Sequence, residues 1–438
     1  MNSSPASGQA PATAVPGTID AIRLRRLQAL GIFCGFAAGA WLGGAEAPVK
    51  LVNPDISPIT VTLIMVCGVF LARWSVPALI RGTAHVRNDV RQAPHLIVWA
   101  VLAGCMWAVA NTLTIYAIRN VGLSIAFPLW NTNSLLGIFW GFLLFNELHY
   151  AGWKRWLGVL GGAGGMFAGA TLLAIASAHE AAPGKAALGV SAALGAGILW
   201  GTMYIPYRKA YLTGMNPLSF ITFFTVGELA TMAALAIGYR GASPLWHELV
   251  SARPVLFWLM LGGFFWVLGD LFQQYATKYV GISRGIPLSN TNQLWGLLWG
   301  VLVFHELAGG SRTVVAEVAG GSLLMALGAV AIALSSATGR EHSSWQDVAE
   351  REGQRYGIED GYVRAGLEGR AYGTSPIPRT LLDWLLILGT TALFAALALV
   401  AKLPPLNISI GWATVIVVAM LSLLTASGRA LWRTTRFR

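Results

Sequence analysis

Charge is what this sequence lacks most. Charged side chains make up 11% of its 438 residues, where a soluble globular chain carries about 25%. Cysteine is nearly absent as well: Cys34, Cys67 and Cys105 each lie in an apolar stretch, with no CxxC pair and no disulfide framework. The seven histidines show no metal-ligand spacing such as HExxH, and no GxxxxGK[ST] phosphate loop occurs. Gly281-Ile-Ser283-Arg-Gly285 matches the nucleophile-elbow pattern, but that elbow needs a strand before it and here it joins two apolar runs. Its counterpart Gly122-Leu-Ser124-Ile-Ala126 loses the pattern. No enzyme constellation survives, and neither a cofactor nor a metal is expected.

What is abundant is apolar surface: hydrophobic residues fill 55% of the chain and the mean hydropathy is +0.60. The apolar stretches run to roughly 20 residues, the length that spans a bilayer. Ten begin near Leu27, Ser57, His95, Gly122, Trp153, Leu188, Pro217, Pro254, Ile282 and Val314. Two more cover 381–401 and 408–427. The expected fold class is all-α, a polytopic membrane protein with twelve spans.

The net charge of +11 invites a nucleic-acid reading, and its distribution rejects one. With a cytoplasmic N-terminus, 22 of the 30 Lys and Arg fall on inner segments and 7 on outer ones, leaving Arg73 within a span. That is the positive-inside pattern. It places both termini in the cytoplasm, the chain in an inner (cytoplasmic) or plasma membrane, and the lipid bilayer as the partner of the basic residues. The Ser/Ala/Pro-rich start predicts a disordered cytoplasmic N-terminus over 1–26. Arg23–Arg26, the apolar run after it and Ala45-Glu-Ala47 imitate a cleavable signal peptide, but cleavage would leave a later repeat partner unmatched.

That partner exists because the sequence repeats itself. Residues 107–148 align without a gap on 266–307 at an offset of 159, with 19 of 42 positions identical, Pro128/Pro287 and both Asn-Thr-Asn triplets among them. At the same offset Pro58 falls on Pro217 and Gly68 on Gly227. With a one-residue shift, Gly39, Gly43, Pro48 and Lys50 fall on Gly197, Gly201, Pro206 and Arg208. Five spans therefore recur, over 27–177 and again over 187–336. Five is odd, so the second copy enters from the opposite side as an inverted repeat, an architecture typical of transporters, with substrate near the midplane. A cytoplasmic connector (337–380) and an extra transmembrane hairpin (381–427) follow.

Trp107-Ala-Val-Ala-Asn111 and Trp266-Val-Leu-Gly-Asp270, the Val-Gly-hydrophobic-Ser turn, and Glu147 and Glu306 closing spans 4 and 9 carry a resemblance. Over roughly residues 27–336 the chain resembles the drug/metabolite transporter superfamily, most of all its glucose/ribose porter and rhamnose symporter group. The resemblance implies sugar uptake coupled to protons. The last two spans and the 337–380 segment depart from the usual ten-span plan, and Asp270 stands where the first copy has Asn111.

Within the repeats, Pro128 and Pro287 each remove a backbone hydrogen bond and crowd the carbonyl four residues back, so both are read as helix kinks. Three residues on come Asn131, Thr132 and Asn133 in one copy, and Asn290, Thr291, Asn292 and then Gln293 in the other. Three consecutive polar residues fan across about 200° of a helix, at about 100° per residue. Neutral amides and hydroxyls donate and accept, which suits sugar hydroxyls; interhelical glue is the rival reading. Trp107 with Asn111 and Trp266 with Asp270 are i,i+4 pairs on one face, continued by Gln273 and Gln274. They read as a sugar cradle or as an interfacial tryptophan belt.

A charge at a helix centre costs about 2.5–3.5 kcal/mol on insertion scales, so Asp270, Glu228 and Arg73 are functional candidates by default. Asp270 and Glu228 could carry the coupling proton or form structural ion pairs. Glu147, at a helix end, reads as structural. The glycine ladders Gly137/Gly141, Gly296/Gly300 and Gly161/Gly165/Gly169 serve helix packing or a homodimer. The reading is a secondary transporter of a neutral sugar. Its rivals are an exporter of drugs or metabolites from the same superfamily and a non-transporting receptor or scaffold.

Overall fold

The computed structural model describes residues 21–52, 55–121, 126, 129–178, 183–305, 311–335, 339–370, 372, 378–403 and 407–438. Of the disordered N-terminus expected over 1–26, residues 1–20 lie outside the described residues, as do Pro128, Ser124 and Glu306, while 21–26 are corrected to the first turns of a helix continuous with the apolar run. Among those described there is no β-strand. The helices of the first copy are α1 (Ala21–Ala45), α2 (Pro58–Ile80), α3 (Ala84–Gln92), α4 (Leu96–Val121), α5 (Asn133–Phe145) and α6 (Gly152–Ala178). The second copy holds α7 (Pro183–Leu212), α8 (Pro217–Arg240), α9 (Ala242–Ser251), α10 (Leu256–Val280), α11 (Ile282–Ser289), α12 (Asn292–Leu298), a π-helical turn Trp299–Val303, and α13 (Arg312–Leu334). Beyond it come α14 (Gly339–Arg355), α15 (Asp360–Leu367), α16 (Leu381–Val400) and α17 (Ile410–Thr435).

Nine helices among the described residues are long and apolar enough to cross a membrane: α1, α2, α4, α7, α8, α10, α13, α16 and α17. The chain is an integral membrane protein. The remaining expected spans differ in kind. α5 is a short apolar helix, α11 and α12 split the ninth span, and α6 is 27 residues rich in glycine.

Local sequence explains the ends. Ser57 caps α2, its hydroxyl accepting from Thr60 N at 3.2 Å, and Asn216 caps α8, its side-chain oxygen accepting from Leu218 N at 2.9 Å. In each a proline follows at the first helical position, where no N–H is missed, so Pro58 and Pro217 start helices. α16 begins with a capping box in which Asp383 accepts from Thr380 N at 2.7 Å. The other oxygen of Asp383 accepts from Thr83 N at 2.6 Å, tying the last hairpin to the α2–α3 turn.

The copies interleave. The first spanning helix of each packs on the third spanning helix of the other, α1 on α10 and α7 on α4. The second helix of each likewise meets the other copy's third, α8 against α4 and α2 against α10. α5 meets α11, and α6 packs along α13. In that last pair Gly162 and Gly169 face Gly328 and Gly321, whose carbonyls lie 2.6 and 2.5 Å from where a Cβ would stand. This ladder joins helices of one chain. Gly161, one of its expected members, faces open space.

The segment expected as a connector, 337–380, packs against the bundle over part of its length. α14 and α15 dock on the end of α7: Trp345 is buried beneath the Arg208 guanidinium at 4.4 Å, and Lys209 pairs with Glu352 at 3.3 Å. His95 stacks on Tyr356 at 3.8 Å. The segment's charge pattern concealed its aromatic residues, which carry enough apolar area to dock it.

Candidate functional site

The two Asn-Thr-Asn triplets lie where helices are interrupted. α11 ends at Ser289, Asn290 and Thr291 form the turn, and α12 begins at Asn292; in the first copy Asn131 and Thr132 form the turn before α5. The kink predicted at the carbonyl four residues before Pro287 is instead a break three residues after it. Pro287 sits inside α11, and Asn290 N still reaches Ile286 O at 3.1 Å. Unwinding turns the asparagines inward while the threonines serve the backbone. Thr132 donates to Leu129 O and Thr291 to Leu288 O, both at 2.9 Å.

Between the breaks lies a cavity of about 40 Å³ lined by Leu42, Glu46, Thr114, Trp130, Asn131, Asn133, Trp200, Tyr204, Trp266, Gln273, Asn290 and Asn292. Ten of the twelve are equivalent pairs of the repeat. Thr114/Gln273, Asn131/Asn290 and Asn133/Asn292 match at the offset of 159, and Leu42/Trp200 and Glu46/Tyr204 at the one-residue shift. Across it Asn290 donates to Asn133 Oδ1 at 2.8 Å and to Ser134 Oγ at 2.6 Å. Gln273 donates to Ser289 Oγ at 2.5 Å. Neither side-chain polar atom of Asn131 has a hydrogen-bond partner among the described residues, nor do Glu46 Oε2 and Asn292 Oδ1. Buried polar groups without partners cost about 1–3 kcal/mol each, so this wall is incomplete without a polar occupant.

Aromatic rings form the rest. Trp200 stacks on Trp266 at 5.6 Å, and Trp107 meets Trp266 edge-on at 4.7 Å and Trp200 at 6.0 Å. Trp107 and Trp266 are 0% and 4% exposed. They lie inside the bundle, not in a belt around it. Of the sequence candidates, Trp266, Asn131, Asn133, Gln273, Asn290 and Asn292 line the cavity. Trp107 backs it, and Gln274, Asn111, Gln293, Thr132 and Thr291 do not reach its wall. Sequence reading missed Trp200, Tyr204, Glu46 and Thr114. The repeat gives no clean signal for Trp200, because the one-residue shift that holds along this helix pairs it with Leu42 and not with the neighbouring Trp41.

Beside the cavity the three intramembrane charges meet. Arg73 Nη1 lies 3.0 Å from Asp270 Oδ2 and Arg73 Nε 3.2 Å from Glu228 Oε2, all three fully buried. Phe224 covers the guanidinium at 4.1 Å. Asp270 also accepts from Gln274 Nε2 at 2.6 Å and from Tyr207 OH at 3.3 Å, and Tyr211 OH donates to Gln274. Every polar atom of the Asp270 carboxylate is thus engaged, as a buried charge requires.

Glu147 holds the break between α10 and α11. Gly281 separates them with φ +85°, a conformation side chains with a Cβ rarely adopt. Glu147 accepts from Ile282 N at 3.0 Å, Ser283 N at 2.9 Å and Ser283 Oγ at 2.7 Å, a carboxylate on a helix N-terminus. Arg208 pairs with Glu147 at 2.9 Å and donates to Thr277 O and Lys278 O, both at 3.1 Å, at the end of α10. One ion pair caps two helix ends. No group of His, Cys, Asp and Glu among the described residues could hold a metal ion.

Comparison with known proteins agrees with this geometry on class. Residues 192–354 match the family described as sugar transport protein. A "putative sugar uptake protein" of Streptococcus pyogenes serotype M1 is 44% identical over 78 residues, which is 17% of this chain and 27% of that protein. A "putative sugar uptake protein" of serotype M6 is 45% identical over the same length. The chain thus spans 27% of the length of these curated relatives. A solved structure titled only as a crystal structure of a protein covers 70% of this chain and 97% of its own, at 17% identity and a TM-score of 0.48.

Proposed function

We propose that this chain is a secondary transporter that moves a neutral sugar by alternating access between two inverted five-helix halves. The observation that carries the reading is the cavity: ten of its twelve lining residues are repeat equivalents, drawn from both copies, around interrupted helices. A site on a pseudo-two-fold axis, made by broken helices, is what inverted-repeat transporters use. The interleaved packing, with α1 on α10 and α7 on α4, supports the same symmetry. Amides and one carboxylate offer partners to hydroxyls, and Trp200 and Trp266 offer flat faces to a sugar's C–H surface.

At about 40 Å³ the cavity holds only a few waters, at roughly 10–15 Å³ each. It is an occluded form, and a sugar enters as the halves part.

Uptake coupled to protons needs an acid that changes charge. Asp270 and Glu228 can do so only if another conformation releases them from Arg73. Glu46 already faces the cavity with one oxygen unpartnered, and it joins them as a third coupling candidate. One proton crossing about 100 mV supplies about 2.3 kcal/mol, enough for a sugar gradient of about 50-fold.

The test is uptake of a radiolabelled sugar panel into proteoliposomes, with and without an inward proton gradient. Gradient-stimulated uptake of one sugar is the expected result. Transport of no sugar under either condition transfers the reading to an exporter and leaves the Asn-Thr-Asn turns as helix packing.

A further inference from the structure

A second cavity, of about 510 Å³, opens at the end of the bundle where α2, α10 and α17 terminate, far larger than the central one. Its wall carries six cationic side chains, Arg81, Lys278, Arg370, Arg379, Arg436 and Arg438, against one acidic side chain, Asp89. Asp89 is committed elsewhere, accepting from Ser219 Oγ at 2.5 Å and from Tyr362 OH at 3.1 Å. Arg370 has its own acid, Glu368, at 2.8 Å. Arg379 donates to Leu79 O at 2.6 Å.

Lys278 is the decisive residue. It is 4% exposed, lines the cavity, and its ammonium has no hydrogen-bond partner among the described residues. Around it stand the Tyr279 ring, 5.8 Å from Nζ, and the Asp89 carboxylate, which attracts the ammonium through space without a hydrogen bond to it. An ammonium this deeply buried without a hydrogen bond, sharing Asp89 with Ser219 and Tyr362, is costly unless a further anion compensates it. The volume lies within the roughly 300–1,000 Å³ range of small-molecule sites. Arginine forks beside a lysine point charge suit a phosphate group, which carries more charge and more acceptors than one carboxylate.

We propose that this cavity binds a phosphate-bearing anion, supplied either as a soluble phosphorylated metabolite or as an anionic lipid headgroup. The site gives the C-terminal region a role. Arg81 caps the end of the helix that carries Arg73 and Lys278 lies on the helix that carries Asp270, while Arg370, Arg379, Arg436 and Arg438 come from the segments that follow the second repeat. A bound phosphate would pin those additions to the bundle.

Two arms test this with the full chain. In neutral detergent free of anionic lipid, inorganic phosphate and glucose 6-phosphate are titrated while thermal stability and heat are measured. In nanodiscs, phosphatidylglycerol is compared with phosphatidylcholine by thermal stability. Saturable binding of the soluble probes identifies a metabolite site, and stabilisation by phosphatidylglycerol alone identifies a headgroup site. In whichever arm responds, Lys278→Met weakens binding about tenfold or more, as expected for loss of one charge-assisted contact, while Lys154→Gln on the remote start of α6 does not. Should Lys278→Met fail to fold, Arg436→Gln at the exposed rim carries the same expectation. No response in either arm, or binding unchanged in Lys278→Met and Arg436→Gln, overturns the proposal.

Discussion

Asn290 of the second repeat donates to Asn133 of the first at 2.8 Å, so the two copies of one triplet meet through their own side chains. The same amide reaches Ser134 Oγ at 2.6 Å. A bond that joins the halves across the cavity must lengthen when a substrate enters. Asn290→Ala is expected to raise KM for the transported sugar about tenfold, the effect of one or two lost hydrogen bonds, with the protein still folded. Uptake kinetics in proteoliposomes measure this, and an unchanged KM would remove Asn290 from the site.

Arg73, Glu228 and Asp270 form a unit in which each charge needs the others. Arg73→Met alone strands two buried carboxylates and is expected to cost about 3–5 kcal/mol. Adding Glu228→Gln and Asp270→Asn should recover part of that loss, because the stranded charges are gone. Denaturation midpoints of the single and triple variants in detergent give the comparison. A triple variant less stable than Arg73→Met would contradict the ion-pair account.

Glu46 separates proton coupling from structure. Glu46→Gln keeps the shape of the cavity wall and removes a titrating group. The expected phenotype is sugar exchange at the wild-type rate with stimulation by an imposed proton gradient abolished. Persistent stimulation returns the coupling role to Asp270 or Glu228.

Glu147 and Gly281 guard the same break. In Gly281→Ala the new Cβ would stand 2.6 Å from Glu147 Oε2, at a φ of +85°. Strain of this kind costs about 1–3 kcal/mol. Glu147→Gln leaves Arg208 without its acid and is expected to cost about 3 kcal/mol. Both variants should lower the melting temperature; wild-type stability in Glu147→Gln would show that the clamp is dispensable.

His85, in the turn helix α3 outside the spans, predicts a pH dependence. Burial first, and the Arg81 guanidinium after it, lower its pKa from 6.5 to about 3. The unfolded chain takes up a proton as pH falls through about 6.5 while the folded chain does not, so the unfolded state binds more protons in that window. The contribution of His85 to stability is therefore complete above pH 6.5 and is lost progressively as pH falls towards about 3. At pH 5 the loss is about 2 kcal/mol. Melting temperature against pH should fall more steeply in the wild type than in His85→Gln, and parallel curves would refute the assignment.

The sequence by itself determined the class of the molecule. Scarce charge, apolar stretches of bilayer length and a gapless internal repeat dictate a helical membrane protein, because a bilayer leaves the backbone few other ways to satisfy its hydrogen bonds. Repetition also named a third of the cavity wall, since Asn131, Asn133, Asn290 and Asn292 are polar where lipid permits little polarity. Tertiary structure alone decided which polar residues face inward. The break after Pro287 turned Asn290 into the cavity and Thr291 onto its own backbone, a distinction of about 100° that depends on where the helix unwinds. It also paired Arg73 with acids 155 and 197 positions away and folded α14 onto α7 through Trp345. Contacts between distant segments depend on how the helices interleave, and no local periodicity records that.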